Sequence, residues 1–221
     1  TRRVEGDYRL TRDDVLGAML DFEVSGFLPW NLPGDMMTVT TSNAAGSKID
    51  LFTHRRQEYD VRWDPDTGQV GATLRVTLEN RAPTSGLPDY VIGNVIGLPP
   101  GTNRSYVSIY STLDLAGAWV GGQPAPLQSE VETGFNVYSA FVDIPPGGSV
   151  QLVLELEGVV EGRAYRLNMP VQPFATADEV AVSVQATDGS AVASRQATVE
   201  GDTARLATTR DLSRLLTVSA P

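Results

Sequence analysis

The alternation of apolar and polar residues from Gly71 to Glu79 constrains the fold of this chain more than any other feature. Ala72, Leu74, Val76 and Leu78 share one parity, while Thr73, Arg75, Thr77 and Glu79 share the other. Only an extended strand brings those four apolar groups onto one face; a helix would scatter them around its axis. Val150, Leu152, Leu154 and Leu156 repeat the pattern against Gln151, Val153, Glu155 and Glu157. Arg104–Thr112 and Phe135–Ile144 are runs of strand length rich in aromatic and β-branched residues. Asp64-Pro65-Asp66-Thr67-Gly68 joins Tyr59–Trp63 to the Gly71 strand as a hairpin turn, and Pro99-Pro100-Gly101 and Pro145-Pro146-Gly147-Gly148 punctuate further strands. Short strands at such intervals predict a mainly β chain, an immunoglobulin-like antiparallel β-sandwich over residues 43–160.

The flanks read differently. Residues 1–42 form an N-terminal helical segment that packs on or leads into the sandwich. Thr11 offers a capping hydroxyl, Asp13 and Asp14 suit the positive end of the helix dipole, and Val15, Leu16, Met19, Leu20 and Phe22 follow. Residues 161–221 predict a second small β unit, or the completion of the first. The strands Tyr165–Met169, Glu179–Ala186, Gln196–Glu200, Ala204–Ala207 and Leu215–Ser219 are richer in Ala, Thr and Ser, and Glu161-Gly162-Arg163 reads as a hinge, which favours a separate unit.

Composition narrows the chemistry. The 221 residues hold no cysteine and one histidine, which removes disulfides, thiol nucleophiles and any metal site needing Cys or two imidazoles. With 17 basic and 27 acidic side chains the net charge is −10, which argues against nucleic acid or an anionic membrane surface as partner. No stretch approaches the roughly 20 apolar residues of a membrane helix, so this chain makes no direct membrane insertion and any anchor lies outside it. Thr1 follows no initiator methionine, as expected for a processed product or a part of a longer protein.

Several separated motifs together resemble a known family. Asn43–Phe52, Leu78–Pro83, Gly86–Val91, Leu98–Arg104 and Asn136–Gly147 occur in the order found in the C-terminal β-rich part of a family of bacterial membrane-anchored envelope proteins, classed as a domain of unknown function. The resemblance spans roughly Met36 to Gln172. It implies an exported protein, at the cell surface or in the cell wall, tethered through a segment absent from this chain, and it supplies no catalytic residues. The missing N-terminal part of the same protein is then the first partner expected, with cell-wall polysaccharide or an envelope protein as others.

Candidate sites follow from residue chemistry. Lys48 is the sole lysine and could form an isopeptide cross-link with Asn80, Asn94 or Asn136 if buried beside a protonated carboxyl such as Glu155 or Asp143; the plainer reading is a surface lysine near Asp50. Asp60, Asp64 and Asp66 before Gly68 partly resemble a calcium loop but lack its later bidentate acid, so a plain turn is preferred and no metal is expected. Arg81–Gly101 is too long and apolar for a simple connection, so it either packs over an open end of the sandwich or forms a binding surface. With Tyr90, Asn103, Arg104, Tyr106 and Trp119 it is where a ligand such as a sugar ring would bind. His54 has no imidazole partner, and Asp13 with Asp14 or Glu155 with Glu157 could in principle be paired carboxylates for glycoside hydrolysis, but the first pair reads better as helix N-terminal charge and the second as the wet face of a strand. The expectation is a non-catalytic extracytoplasmic module with a structural or interaction role and no cofactor. A glycan- or wall-polymer-binding module is the alternative, and a carboxylate-based hydrolase ranks below both.

Overall fold

The structure, a computed structural model, describes residues 33–172, 174–210 and 214–220, so the helix expected at residues 11–22 lies outside them. The described chain is mainly β. Its strands are β1 (Asp35–Asn43), β2 (Thr53–Trp63), β3 (Gln69–Asn80), β4 (Asn103–Ser111), β5 (Asp114–Val120), β6 (Gln123–Pro124), β7 (Gln128–Glu132), β8 (Phe135–Ile144), β9 (Ser149–Val159), β10 (Ala164–Met169), β11 (Asp178–Ala186), β12 (Thr198–Glu200), β13 (Thr203–Arg210) and β14 (Arg214–Ser219). A single 3-10 turn at Ile49–Phe52 and a four-residue helix α1 (Asp89–Ile92) interrupt them. Two sheets form a sandwich: six strands in the order β14-β10-β1-β4-β8-β7 and eight in the order β12-β13-β11-β2-β3-β9-β5-β6.

The predicted hairpin is present, with β2 and β3 antiparallel from Thr53 opposite Asn80 to Trp63 opposite Val70. Its turn closes because Asp64 Oδ1 accepts the backbone N–H groups of Asp66 and Thr67 at 2.9 and 3.1 Å, which holds this carboxyl below its ordinary range. Gly68 sits at φ +74°, and a Cβ there would lie 2.3 Å from the Val160 carbonyl, so no other residue fits.

Three expectations need correction, and of the two readings of residues 161–221 the completion of the first unit is the one the sheets show. The sandwich starts at Asp35 and not at residue 43, because the end of the segment read as helical is strand β1. The sandwich is not purely antiparallel: β1 pairs with β10 and β2 with β11 in parallel, so both sheets are mixed. Nor does the core divide at residue 161. Of the strands beyond it, β10 and β14 belong to the six-stranded sheet and β11, β12 and β13 to the eight-stranded one. Tyr165, Leu167, Val182 and Leu216 share one buried core with Tyr59, Trp63, Leu74, Ile109 and Leu154. Each such large apolar side chain contributes about 1.5–3 kcal/mol by leaving water. The smaller residues after Gly162 belong to the same core and mark no boundary.

Buried polar groups fasten the two layers. Asp35 of β1 accepts the hydroxyls of Tyr59 on β2 (2.7 Å), Tyr165 on β10 (2.5 Å) and Thr112 (2.9 Å). Burial, only partly offset by those donors, pushes the Asp35 carboxyl above its ordinary value, and burial with the Asp35 charge pushes both tyrosines well above theirs. Elsewhere Arg55 of β2 meets Asp178 of β11 at 2.7 Å with both side chains buried, and Gln57 donates to the other Asp178 oxygen at 2.6 Å. The Arg55 guanidinium also lies 5.1 Å from the Phe174 ring centre.

Candidate functional site

Three connections meet at one end of the sandwich: residues 44–52 between β1 and β2, 81–102 between β3 and β4, and 145–148 between β8 and β9. Asn80, fully buried at the end of β3, joins them. Its amide donates to the carbonyls of Gly101 and Ile144 at 2.7 and 2.8 Å, its side-chain oxygen accepts the N–H of Ala82 at 3.0 Å, and its own backbone exchanges bonds with Gly147 and Gly148. Gly101 permits this closeness, because at φ +82° it passes where a Cβ would lie 2.7 Å from the Pro83 carbonyl. The long segment also binds the first connection, with Lys48 N–H donating to Tyr90 O and Val95 N–H to Ala45 O, both at 3.1 Å.

The Arg81–Gly101 segment both packs and exposes. Ile92 and Ala82 join Ile49 in a small buried cluster that seals the end. Outside that seal Tyr90 is 70% exposed, Val95 83% and Leu51 58%, with Ile96 and Leu87 also outward. All five belong to the connections that meet at this end, so the tip of the sandwich displays aliphatic groups and an aromatic ring. Beside it, Asn43, Ser47, Lys48, Asp50, Leu51 and Phe174 line an open depression of about 530 Å³. Asp50 is half-buried there, and the loss of water raises its carboxyl above the ordinary value against bonds from Asn103 and Asn43 and the charge of Lys48.

The predicted site residues divide among three places. Tyr90 belongs to the apolar tip. Asn103 is completely buried behind it, donating to Thr53 Oγ1 at 2.7 Å and Asp50 Oδ1 at 3.4 Å, so it supports the end and cannot touch a ligand. Arg104 and Tyr106 lie on the outer face of the six-stranded sheet. Trp119, half-buried on β5 and paired with the short edge strand β6 of the eight-stranded sheet, lies across Gly117 of its own strand. The single surface expected from Tyr90 to Trp119 does not form, because alternate residues of β4 face opposite ways and β5 belongs to the other sheet.

The outer face of the six-stranded sheet joins the expected Arg104 and Tyr106 to Phe141, Asp143, Gln128 and Glu132, which were not among the predicted site residues. Tyr106 of β4 stands opposite Phe141 of β8 with ring centres 4.6 Å apart and planes tilted 46°. Phe141 is 57% exposed, and the Arg104 guanidinium is 5.4 Å from its centre and 3.6 Å from Asp143. The hydroxyls of Tyr106 and Tyr110 reach Gln128 (3.3 Å) and Glu132 (2.8 Å) on β7, and the Tyr110 hydroxyl is raised to about 12 by burial and by Glu132. Only the pairing of β4 with β8 unites these residues, and no local spacing reveals it.

Lys48 is exposed, so the burial that isopeptide chemistry needs is missing. Its proposed partners are engaged elsewhere: Asn80 as described, Asn94 with Leu98 and Ile96, and Asn136 with Leu113 and Asp114. The calcium candidates are likewise separated by other duties. Asp60 pairs with Arg75 at 2.6 Å, Asp64 caps its turn and Asp66 pairs with Arg163 at 3.1 Å. Among the described residues no group of three metal-ligating side chains converges, and no helix is long and apolar enough to cross a membrane. Glu155 and Glu157 lie exposed on β9, and Asp13 and Asp14 fall outside the described residues.

No family model and no curated protein matches the chain. Among solved structures it is similar to a Legionella pneumophila protein with a provisional nutrient-binding name, at TM-score 0.51 and 6% identity over 86% of this chain and 73% of that one, which shows a shared fold. It also aligns with leukotriene A4 hydrolase from Saccharomyces cerevisiae (TM-score 0.46, 10% identity, 76% of this chain and 29% of that one). An M1 zinc metallopeptidase from Deinococcus radiodurans aligns at TM-score 0.40 and 14% identity, over 89% and 45% of the two chains. This chain therefore spans less than half the length of either enzyme.

Proposed function

We propose that this chain is a non-catalytic β-sandwich module of a larger, membrane-tethered bacterial envelope protein. It works outside the cytoplasm, and its apolar tip docks against another part of the same protein. The observation that carries this reading is the outward display of Tyr90, Val95, Leu51, Ile96 and Leu87 on a tip otherwise closed by buried hydrogen bonds. Exposed aliphatic groups with an aromatic ring among them suit the apolar side chains of a protein surface. The resemblance of residues 36–172 to tethered envelope proteins supports the location. The buried carboxylates Asp35 and Asp178 are each held by two or more side chains of the fold, which suits scaffolding.

The chain has no cysteine, so Val95→Cys introduces one thiol at the tip. In the intact tethered protein this thiol is expected to react with a soluble maleimide several-fold more slowly than in the isolated 221-residue chain. Val159→Cys, exposed at the far end of β9, should react equally in both. Equal rates at Val95 in the two contexts would refute the docking.

A further inference from the structure

The outer faces of the two sheets differ sharply in what they offer. The eight-stranded sheet is covered by charge pairs, Arg56 with Glu179 at 2.9 Å and Arg75 with Asp60 at 2.6 Å among threonines, which is an ordinary solvated surface. The six-stranded sheet instead sets an exposed ring, Phe141, against Tyr106 in its middle and surrounds the pair with groups able to form paired hydrogen bonds. A ring left 57% exposed on the strand beside the sheet's edge gives up part of a burial worth about 1.5–3 kcal/mol.

We infer that this face binds a neutral, equatorially linked glycan, with a sugar ring stacked on Phe141 and Tyr106. A pyranose with equatorial substituents presents a flat layer of C–H bonds, and the electron-rich face of an aromatic ring attracts such slightly positive hydrogens while removing them from water. The 46° tilt of the two rings makes a shallow trough, which suits consecutive sugars turned relative to one another. Neighbouring hydroxyls of a sugar ring need paired donors and acceptors at the rim. Arg104 with Asp143 supplies them on one side, and Gln128 with Glu130 on the other.

Charge decides the class of polymer. Arg104 and Asp143 flank the rings, and Glu130 and Glu132 extend the same face along β7, so one cation stands on it among three carboxylates. That balance repels phosphate-rich or uronic acid polymers and accepts a neutral chain. From β1 across β4 and β8 to β7 the face is about 14 Å wide at roughly 4.8 Å per strand, enough for a short stretch of polymer lying across the strands. The residues involved are separate from the apolar tip, so the two surfaces can act together or fail independently.

Calorimetric titration of the 221-residue chain with cellohexaose and with chitohexaose tests the inference. Saturable binding of at least one is expected. Phe141→Ala, which alters an exposed side chain outside the core, should weaken it about tenfold or more, a loss of about 1.4 kcal/mol or more. Tyr106→Phe keeps the stack and should weaken it less than Phe141→Ala, while Val95→Asp at the tip should leave it unchanged. Absence of saturable binding to either sugar overturns the inference, as does binding insensitive to Phe141→Ala. A dimer seen by sedimentation and abolished by Phe141→Ala would also overturn it, by assigning the face to a second copy of the chain.

Discussion

Asn80 is the residue whose replacement most directly tests how the loop end is held. Removing its side chain as Asn80→Ala strands the Gly101 and Ile144 carbonyls and the Ala82 N–H, all three bonded to it between 2.7 and 3.0 Å at a fully buried position. At about 1 kcal/mol net for each bond the loss is about 3 kcal/mol, and more if water cannot reach the orphaned groups. For a chain of this length that lowers the melting temperature by about 6–12 °C. Asn80→Asp is the sharper variant. It keeps the shape and the acceptor for Ala82 but points a carboxylate oxygen at two carbonyl oxygens, so at pH 7 it should be less stable than Asn80→Ala. Its folded-state carboxyl would be raised above the ordinary value of about 3.9. The stability difference from wild type should therefore shrink as pH falls toward 4 and widen as pH rises through the raised value. Urea unfolding followed by tryptophan fluorescence at pH 4, 5.5 and 7 measures all three proteins. An Asn80→Asp protein as stable as wild type at pH 7 would refute the arrangement, because the amide could not then be donating to both carbonyls.

Two further expectations concern the buried polar groups. Asp35 is raised by burial, so the folded state takes up its proton more readily than the unfolded chain. Its contribution to stability is complete below pH 3.8 and is lost as pH rises through the raised value. Urea midpoints should show Asp35→Asn gaining on wild type as pH rises from 4 to 7, and parallel pH profiles would show that this carboxyl does not titrate as its burial dictates. Asp178→Ala leaves the buried Arg55 guanidinium without its counterion and should cost about 3–5 kcal/mol, while replacing both partners together as Arg55→Met and Asp178→Leu should recover much of that loss in the same assay.

The sequence made the strands legible wherever one face is wet. The 71–79 and 150–157 alternations and the Asp64–Gly68 turn appear as read, because local chemistry suffices to choose an extended chain and a tight reversal. The partners of those strands were not legible. Nothing local in Asp35–Asn43 points to Ala164–Met169 as its parallel neighbour, and that missing pairing is why residues 161–221 read as a separate unit. The site suffered from the same gap. Asn103 has the polarity of a surface residue but is consumed by Thr53 and Asp50, while Phe141 looks like one more core aromatic until its register opposite Tyr106 turns it outward. Lys48 drew attention by being unique in composition, a property that carries no information about burial.

The parallel pairs also set an order of events for the newborn chain. Asp35 must wait for Leu167 and Arg56 for Glu179, partners separated by more than a hundred residues of sequence. Closing loops of that size delays the rewarding contacts, and chains dominated by such pairings fold slowly. The hairpin of β2 and β3 can form early, but β11, the parallel neighbour of β2, and β10, the parallel neighbour of β1, follow only after residue 163. Until then β1 and β2 each keep one unpaired edge. A chain whose parallel partners come late stays open until they are made, a property that an exported life of the kind proposed above would use.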